Sequence, residues 1–174
     1  ANALGLPLDL AVVSKITLPW NTESGYGAVA FDGSVLLNEA YLRELHLSEK
    51  DVEAGIAKTR AKVERRAKEL RGGRPGLVLA GRHAILVDDG LASGFTMRAA
   101  IAASRSAAAK SVSLAVPTGH VRAIEALIDE VDLLVCANVR AGYSFAVAEA
   151  YERWADVSED EVRALLATGP HDVV

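Results

Sequence analysis

The second half of the chain alternates short apolar runs with segments of helical periodicity, and this alternation constrains the fold more than any other feature. The apolar runs indicate strands at 84–87, 111–116 and 131–136, with helices at 96–108 and 121–130 between them. Strands separated by helices of this length predict parallel pairing in a sheet covered on both faces. The predicted fold class is therefore α/β, with a mostly parallel central sheet and helices on both faces.

The first half predicts an insertion before the strand at 84–87. A short apolar run indicates a strand at 9–13, ending at Ser14 and Lys15, and the punctuated segment 16–24 indicates a loop. Two apolar runs flank Asp32 and Gly33, a strong β-hairpin signal. A short helix at 39–45 and a long helix from a capping box at Ser48 to about residue 70 follow. A second capping box at 158–161 begins a terminal helix, and no domain boundary is visible.

Two adjacent carboxylates lie at the end of the strand at 84–87. Asp88 and Asp89 are followed by a small-residue loop and the start of a helix. In open α/β sheets, ligands bind beyond the carboxyl ends of the strands, and a helix N-terminus offers free N–H groups to an anion. Acids beside an anion site suit a ligand that carries a phosphate together with hydroxyls or a metal ion. A phosphorylated sugar has this chemistry.

Composition excludes several classes of site. With 174 residues the chain fits one domain, and its single cysteine, Cys136, excludes an internal disulfide and a multi-thiolate metal site. Cys136 is expected to be a buried, inert thiol in a cytoplasmic protein. No stretch is apolar enough to span a bilayer, and no signal peptide is visible. The four histidines have no metal-ligand spacing, so no catalytic histidine is assigned.

The long helix is strongly basic in its second half. Eight lysines and arginines but only two glutamates lie between Lys58 and Arg74, in a chain whose net charge is −4. A solvated helix face, a nucleic-acid surface and electrostatic steering of a polyanionic small molecule are the alternatives. Because the rest of the chain is acidic and aromatic residues are scarce, a nucleic-acid surface is the disfavoured alternative. No membrane contact is expected.

The stretch from Ile85 to Thr96 resembles the phosphoribosyl pyrophosphate signature of type I phosphoribosyltransferases. That pattern is a run of apolar residues, two acids, two mostly apolar positions, a small residue, Thr or Ser, Gly, a variable residue and Thr. Ser93 replaces the commoner threonine, and Phe95 stands where a small residue is usual. The Phe95 ring is expected to pack on the helix or to reach into the base site.

The rest of the chain resembles a subgroup of phosphoribosyltransferases whose substrate is unassigned. The supporting stretches lie, in family order, at 5–10, 27–30, 37–39, 71–75 and 157–162. Family members usually begin with a further strand, a glycine-containing pyrophosphate loop and a helix before the equivalent of Leu4. Residues 1–7 also look like the end of a helix with no helix before it. We therefore expect residues 1–174 to form one phosphoribosyltransferase-like domain that lacks those N-terminal parts.

The resemblance implies roles for individual residues. Asp88 and Asp89 would hold the ribose hydroxyls and Mg²⁺, directly or through water. Lys15 stands where many family members have an Arg-Lys pair on the pyrophosphate, and Arg71 and Arg74 fall in the interval of a mobile lid. The 5′-phosphate loop would consist of Ala92, Ser93, Gly94, Phe95 and Thr96. The segment 138–151 corresponds to the variable base-recognition region, although hydrophobic packing is the alternative for each of its aromatic residues.

The resemblance implies a magnesium-dependent enzyme of nucleotide metabolism that transfers ribose 5-phosphate from phosphoribosyl pyrophosphate to a nitrogenous base, with loss of pyrophosphate. A non-catalytic module that binds phosphoribosyl pyrophosphate or a nucleotide is the main alternative. A different phosphosugar or nucleotide enzyme is a third. Because the family often forms dimers, a homodimer is expected. The acceptor base and the pathway are left open.

Overall fold

Two small sheets organise the computed structural model, which describes residues 1–76, 78–143 and 145–168. The strands are β1 (Ser14–Leu18), β2 (Asn21–Val29), β3 (Val35–Leu37), β4 (His83–Val87), β5 (Ser111–His120) and β6 (Leu133–Arg140). The helices are α1 (Glu39–Glu44), α2 (Glu49–Arg71), α3 (Phe95–Ser106), α4 (Val121–Leu127) and α5 (Glu159–Thr168). Single turns of 3₁₀ helix cover Asn2–Leu4, Ile128–Glu130 and Val147–Ala150.

The first sheet is antiparallel, in the order β1-β2-β3. The hairpin predicted at Asp32 and Gly33 is confirmed, since Val29 pairs with Val35 across it. Gly33 adopts a φ of 82°, and the Asp32 carboxylate accepts hydrogen bonds from the Ser34 N–H and hydroxyl. These are the conformations and contacts for which Asp and Gly are favoured in turns.

Two predictions for the first half are wrong. Residues 9–13 form no strand, and the expected loop at 16–24 is occupied by β1 and the start of β2. An apolar run forms a strand only where a neighbouring strand offers hydrogen bonds, and β1 finds that partner in β2. β1 does alternate between buried and more exposed residues, but the punctuating Pro19 lies in the short turn that joins it to β2 rather than in a long loop. Lys15 consequently lies within β1, opposite Ala28, rather than at a strand end.

The second sheet is parallel, in the order β4-β5-β6, with Val87 opposite Ala115 and Ala115 opposite Val135. Each crossover contains a helix, α3 or α4, so the predicted α/β class is confirmed. Both helices pack on one face of this sheet. The buried core there consists of Leu86, Leu91, Met97, Ala100, Ile101, Val112, Leu114, Val116, Ala123 and Leu127.

The opposite face of the parallel sheet is open to solvent in the described part of the chain. Its apolar side chains are Ile85, Val87, Leu133, Val135 and Val139, each between 47% and 72% exposed. Parallel sheets are normally covered on both faces, so this surface is unusual. Cys136 was expected to be buried but is only half-buried, because β6 is an edge of the three-stranded sheet.

α3 lies between the two sheets. Small residues make the contact: Ala99 and Ala103 of the helix pack against Ala28 and Ala30 of the first sheet. The predicted long helix is α2, which begins at the predicted capping box of Ser48 and Asp51 and packs on the antiparallel sheet. None of the helices described is both long and apolar enough to cross a membrane.

Candidate active site

The acidic pair lies between two points at which the chain is fixed to the parallel sheet. β4 ends at Val87, and four residues later Leu91 forms a parallel bridge to Gly119 of β5. The Leu91 N–H donates to Thr118 O (3.0 Å), and the His120 N–H donates to Leu91 O (2.8 Å). Both ends of the turn that carries the acids are therefore anchored to the parallel sheet.

Gly90 permits this path because a side chain would not fit there. A Cβ on Gly90 would lie 2.7 Å from Val147 Cγ1 and 2.9 Å from Thr118 Cγ2. Val147, which lies in the 138–151 region where base recognition was expected, therefore packs directly against the turn that carries the acids.

The two carboxylates of the acidic pair differ in their electrostatics. The Asp89 N–H donates to Asp88 Oδ1 (3.0 Å). Partial burial nevertheless raises the pKa of Asp88 above its usual value, the negative charge of Asp89 adds to the increase, and the hydrogen bond opposes it. Both side chains retain contact with solvent. A hydroxyl donor or a cation beside Asp88 would therefore favour its charged form.

The loop after the acids exposes backbone N–H groups at the start of α3. Gly94 is the N-cap, with a φ of 73°, and no side chain caps the helix. The contact from the Phe95 N–H to Ser93 Oγ is long, at 3.4 Å. α3 thus retains the donors with which a helix N-terminus binds an anion.

Thr96 and Phe95 lie in the first turn of α3. The Thr96 side chain does not cap the helix, because Gly94 is the N-cap. The Phe95 ring packs on the alanine cluster between the sheets rather than into the base site. Ala92, Ser93 and Gly94 form the turn that precedes the helix.

Three predicted cations lie on other elements. Lys15 is on β1 of the antiparallel sheet. Arg71, at the end of α2, forms an ion pair with Asp9 (2.7 and 3.0 Å) and donates to Leu10 O. Arg74 donates to Leu166 O of α5 (3.1 Å). The acids and the 92–96 loop are brought together at one end of the parallel sheet, whereas Arg71 and Arg74 hold other segments in place. The role of the three cations on pyrophosphate stays a prediction.

Two further side chains lie near the acids, at the C-terminal ends of the parallel strands. Tyr151 donates its hydroxyl hydrogen to Asp89 O (2.6 Å). His120 Nδ1 accepts from the Arg122 N–H, so its Nε2–H donates to Gly142 O (2.9 Å). Sequence analysis set His120 aside because it lacked metal-ligand spacing. Its position just beyond a predicted strand, at the edge where ligands bind, was the signal that could have identified it.

Comparison with known proteins identifies the family of this chain. The model described as "Phosphoribosyl transferase domain" matches residues 32–147. The chain belongs to the phosphoribosyl transferase domain family. The type I resemblance drawn from the signature is thereby confirmed. The matched part of this phosphoribosyltransferase domain contains Asp88, Asp89 and the 92–96 loop, while Lys15 and Tyr151 lie outside it.

Relatives of the domain include two curated proteins of Mycobacterium tuberculosis, from strains CDC 1551 and H37Rv, each named "Putative phosphoribosyl transferase". Each is 37% identical over 172 residues, which is 99% of this chain and 39% of the relative. The chain therefore spans well under half the length of these relatives. The crystal structure of TT1426 from Thermus thermophilus is similar in fold, with a TM-score of 0.75 and 32% identity, covering 95% of this chain and 77% of the other.

Proposed function

We propose that the domain binds phosphoribosyl pyrophosphate and transfers its ribose 5-phosphate group to a nitrogenous acceptor. The observation that supports this most directly is the pairing of two adjacent carboxylates with an uncapped helix N-terminus on one sheet edge. Asp88 and Asp89 accept hydrogen bonds from the ribose 2′ and 3′ hydroxyls. The backbone of 92–96 donates to the 5′-phosphate, with Ser93 and Thr96 as further donors.

In this reaction the bond from ribose C1 to the pyrophosphate oxygen breaks, and a bond from C1 to the acceptor nitrogen forms. The oxygen keeps the bonding electrons and leaves with pyrophosphate, and the acceptor loses a proton. The domain needs no covalent nucleophile for this step. It holds the sugar in place, while cations stabilise the developing charge on the leaving group. Lys15, Arg71 and Arg74 are the candidates for that role.

The acidic pair fits a magnesium ion that keeps most of its waters. Among the described residues no cluster of three or more His, Cys, Asp or Glu side chains surrounds a common point. Mg²⁺, however, commonly binds through one or two carboxylates together with substrate phosphates, and two acids suffice for that. We propose that Asp88 and Asp89 hold Mg²⁺ with the substrate. The ion would neutralise charge on the pyrophosphate.

A non-catalytic binding module is the second candidate, and one observation favours it. Lys15 lies on the other sheet, and Arg71 is already paired with Asp9. The ribose 5-phosphate half of the site is thus better formed than the leaving-group half. Under this alternative, phosphoribosyl pyrophosphate binds and is not consumed.

We also propose that the parallel sheet is wider in the whole polypeptide, with an added strand beside β4. Cavities of about 330 and 550 Å³ separate the extended segment 6–13 from β4. β4 is an edge strand of its sheet, and the neighbouring face is apolar and exposed. A strand from outside residues 1–174 would pair with β4, and a helix would cover the apolar face. A glycine-containing loop between them would supply N–H donors for pyrophosphate.

The test of the proposed function separates binding from turnover. Calorimetry would compare ribose 5-phosphate, phosphoribosyl pyrophosphate and inorganic phosphate on the wild type and on a double variant, Asp88→Asn with Asp89→Asn. We expect the double variant to bind both sugars at least tenfold more weakly and phosphate nearly unchanged. Asp129→Asn with Asp156→Asn is the charge-matched control on exposed acids. Unchanged sugar affinity in the site variant would show that the assignment is wrong.

Turnover requires the complete gene product. Pyrophosphate release would be measured with phosphoribosyl pyrophosphate, Mg²⁺ and a panel of purines and pyrimidines. Release with one acceptor supports the transferase. Tight binding without release for every acceptor supports the binding module instead.

A further inference from the structure

Tyr151, which lies 62 residues after Asp89 in the sequence, contacts the turn that carries the two acids. The Tyr151 hydroxyl donates to the main-chain carbonyl of Asp89 over 2.6 Å, at the short end of the range for this type of bond. The ring is held from the side by Trp154, whose centroid is 5.2 Å away in an edge-to-face arrangement. This ring contact supports the tyrosine side chain, which is otherwise partly exposed.

Two other contacts join the same segment to this sheet edge. Val147 occupies the space beside Gly90 that a side chain would otherwise fill. His120 Nε2–H donates to Gly142 O. Gly142, Val147 and Tyr151 are therefore each in contact with the end of the sheet that carries the acidic pair.

The Tyr151 contact acts on a peptide group that would otherwise be free to rotate. The Asp89 carbonyl belongs to the peptide bond with Gly90, and glycine places few steric limits on that bond. The peptide on the other side of Asp89 is already held, because its N–H donates to Asp88 Oδ1. With Tyr151 in place, both peptide groups flanking Asp89 are fixed, and so is the direction of its Cα–Cβ bond.

We propose that Tyr151 is a positioning residue for the ribose-binding acids. Resting on the proposed function, this inference assigns to segment 142–151 the task of orienting Asp89 through its backbone. The segment in which acceptor recognition was expected is thereby coupled to the part of the site that holds the sugar. Tyr151 does not itself touch the reacting atoms.

The test compares two ligands that share a phosphate and differ in the sugar. Calorimetry on Tyr151→Phe would measure the affinities for ribose 5-phosphate and for inorganic phosphate. Phenylalanine keeps the ring against Trp154 and removes only the hydroxyl. We expect ribose 5-phosphate to bind about three- to tenfold more weakly, the range for loss of one hydrogen bond, and phosphate to bind as in the wild type. Tyr41→Phe is the matched control, since Tyr41 lies on α1, outside the acidic turn and the 138–151 region.

Each outcome decides a different question. A ribose 5-phosphate affinity equal to the wild type in Tyr151→Phe overturns the positioning role. A loss of both affinities in parallel, with a lower melting temperature, means that the hydroxyl only stabilises the fold and also overturns it. Failure of the wild type itself to bind ribose 5-phosphate contradicts the proposed function, and the positioning role with it. That result is recognised because it appears before any variant is made.

Discussion

The carboxylate of Asp88 accepts a hydrogen bond from the N–H of its neighbour Asp89, and yet its pKa is raised. Desolvation of the charge and repulsion from Asp89 together outweigh the hydrogen bond. The folded state consequently holds this proton more tightly than the unfolded chain does. The proposed sugar binding uses the charged form, so under that proposal the residue is placed where its charge is unfavourable until a ligand arrives.

Asp88→Asn is expected to stabilise the protein at neutral pH while weakening sugar binding. A raised pKa of an acid means that the stability of the wild type falls as pH rises from the ordinary carboxyl value through the raised value, and stays lower above it. Asparagine keeps the acceptor for the Asp89 N–H and carries no charge. Urea unfolding at several pH values would measure the difference, which should vanish at low pH. A variant less stable than the wild type at pH 7 would contradict the desolvation argument.

Gly90→Ala is expected to lower the free energy of unfolding by about 1–3 kcal/mol, the usual cost of overpacking. The added methyl group would overlap Val147 and Thr118. A second substitution, Val147→Ala, removes the nearer contact and should recover part of the loss. Thermal unfolding of the single and double variants measures this coupling. No recovery in the double variant would mean that segment 142–151 does not pack on the turn as described.

Arg71→Lys is expected to cost about 1–2 kcal/mol of stability, because lysine cannot reproduce the forked contact with Asp9 and Leu10 O. Arg65→Lys, on the same helix and exposed, is the control and should change stability by less than about 0.5 kcal/mol. The measurement is denaturant unfolding together with phosphoribosyl pyrophosphate affinity. If affinity falls and stability does not, Arg71 acts as the lid residue suggested by its sequence position.

Val135→Lys probes the open face of the parallel sheet. Because Val135 is 51% exposed, lysine should be tolerated in the 174-residue chain, with a change of less than about 1 kcal/mol. In the complete gene product, where we propose that further elements cover this face, it should lower the melting temperature by several degrees. Val157→Lys, at an exposed valine outside the sheets, should be neutral in both. Equal tolerance of Val135→Lys in both polypeptides would show that the face stays open.

Sequence analysis succeeded where the signal is local. The strands and helices between residues 83 and 140 follow from apolar periodicity, and the capping box at Ser48 and the Asp32–Gly33 turn are local contacts. The placement of the acidic pair and the 92–96 loop follows for the same reason, since one strand end and one helix start carry both. The strand predicted at 9–13 failed because strand formation depends on a partner that no local pattern supplies.

Contacts between distant segments could not be predicted. Tyr151 reaches Asp89 only because the chain after β6 returns to the edge of β4, and no spacing between positions 89 and 151 encodes that contact. Arg71 had a local pattern typical of a mobile cationic loop, but its partner Asp9 is 62 residues away. Such pairings are decided by packing of whole elements, after the local elements are in place.

The alanine layer beneath α3 has a consequence for engineering. Ala103 and Ala28 are fully inaccessible to solvent, and α3, which follows the loop proposed to bind phosphate, rests on them. An additional methylene at either position would displace the whole helix, since close-packed atoms cannot yield locally. Ligand affinity could then be adjusted in small steps by substitutions in this layer, without altering any atom that touches the ligand.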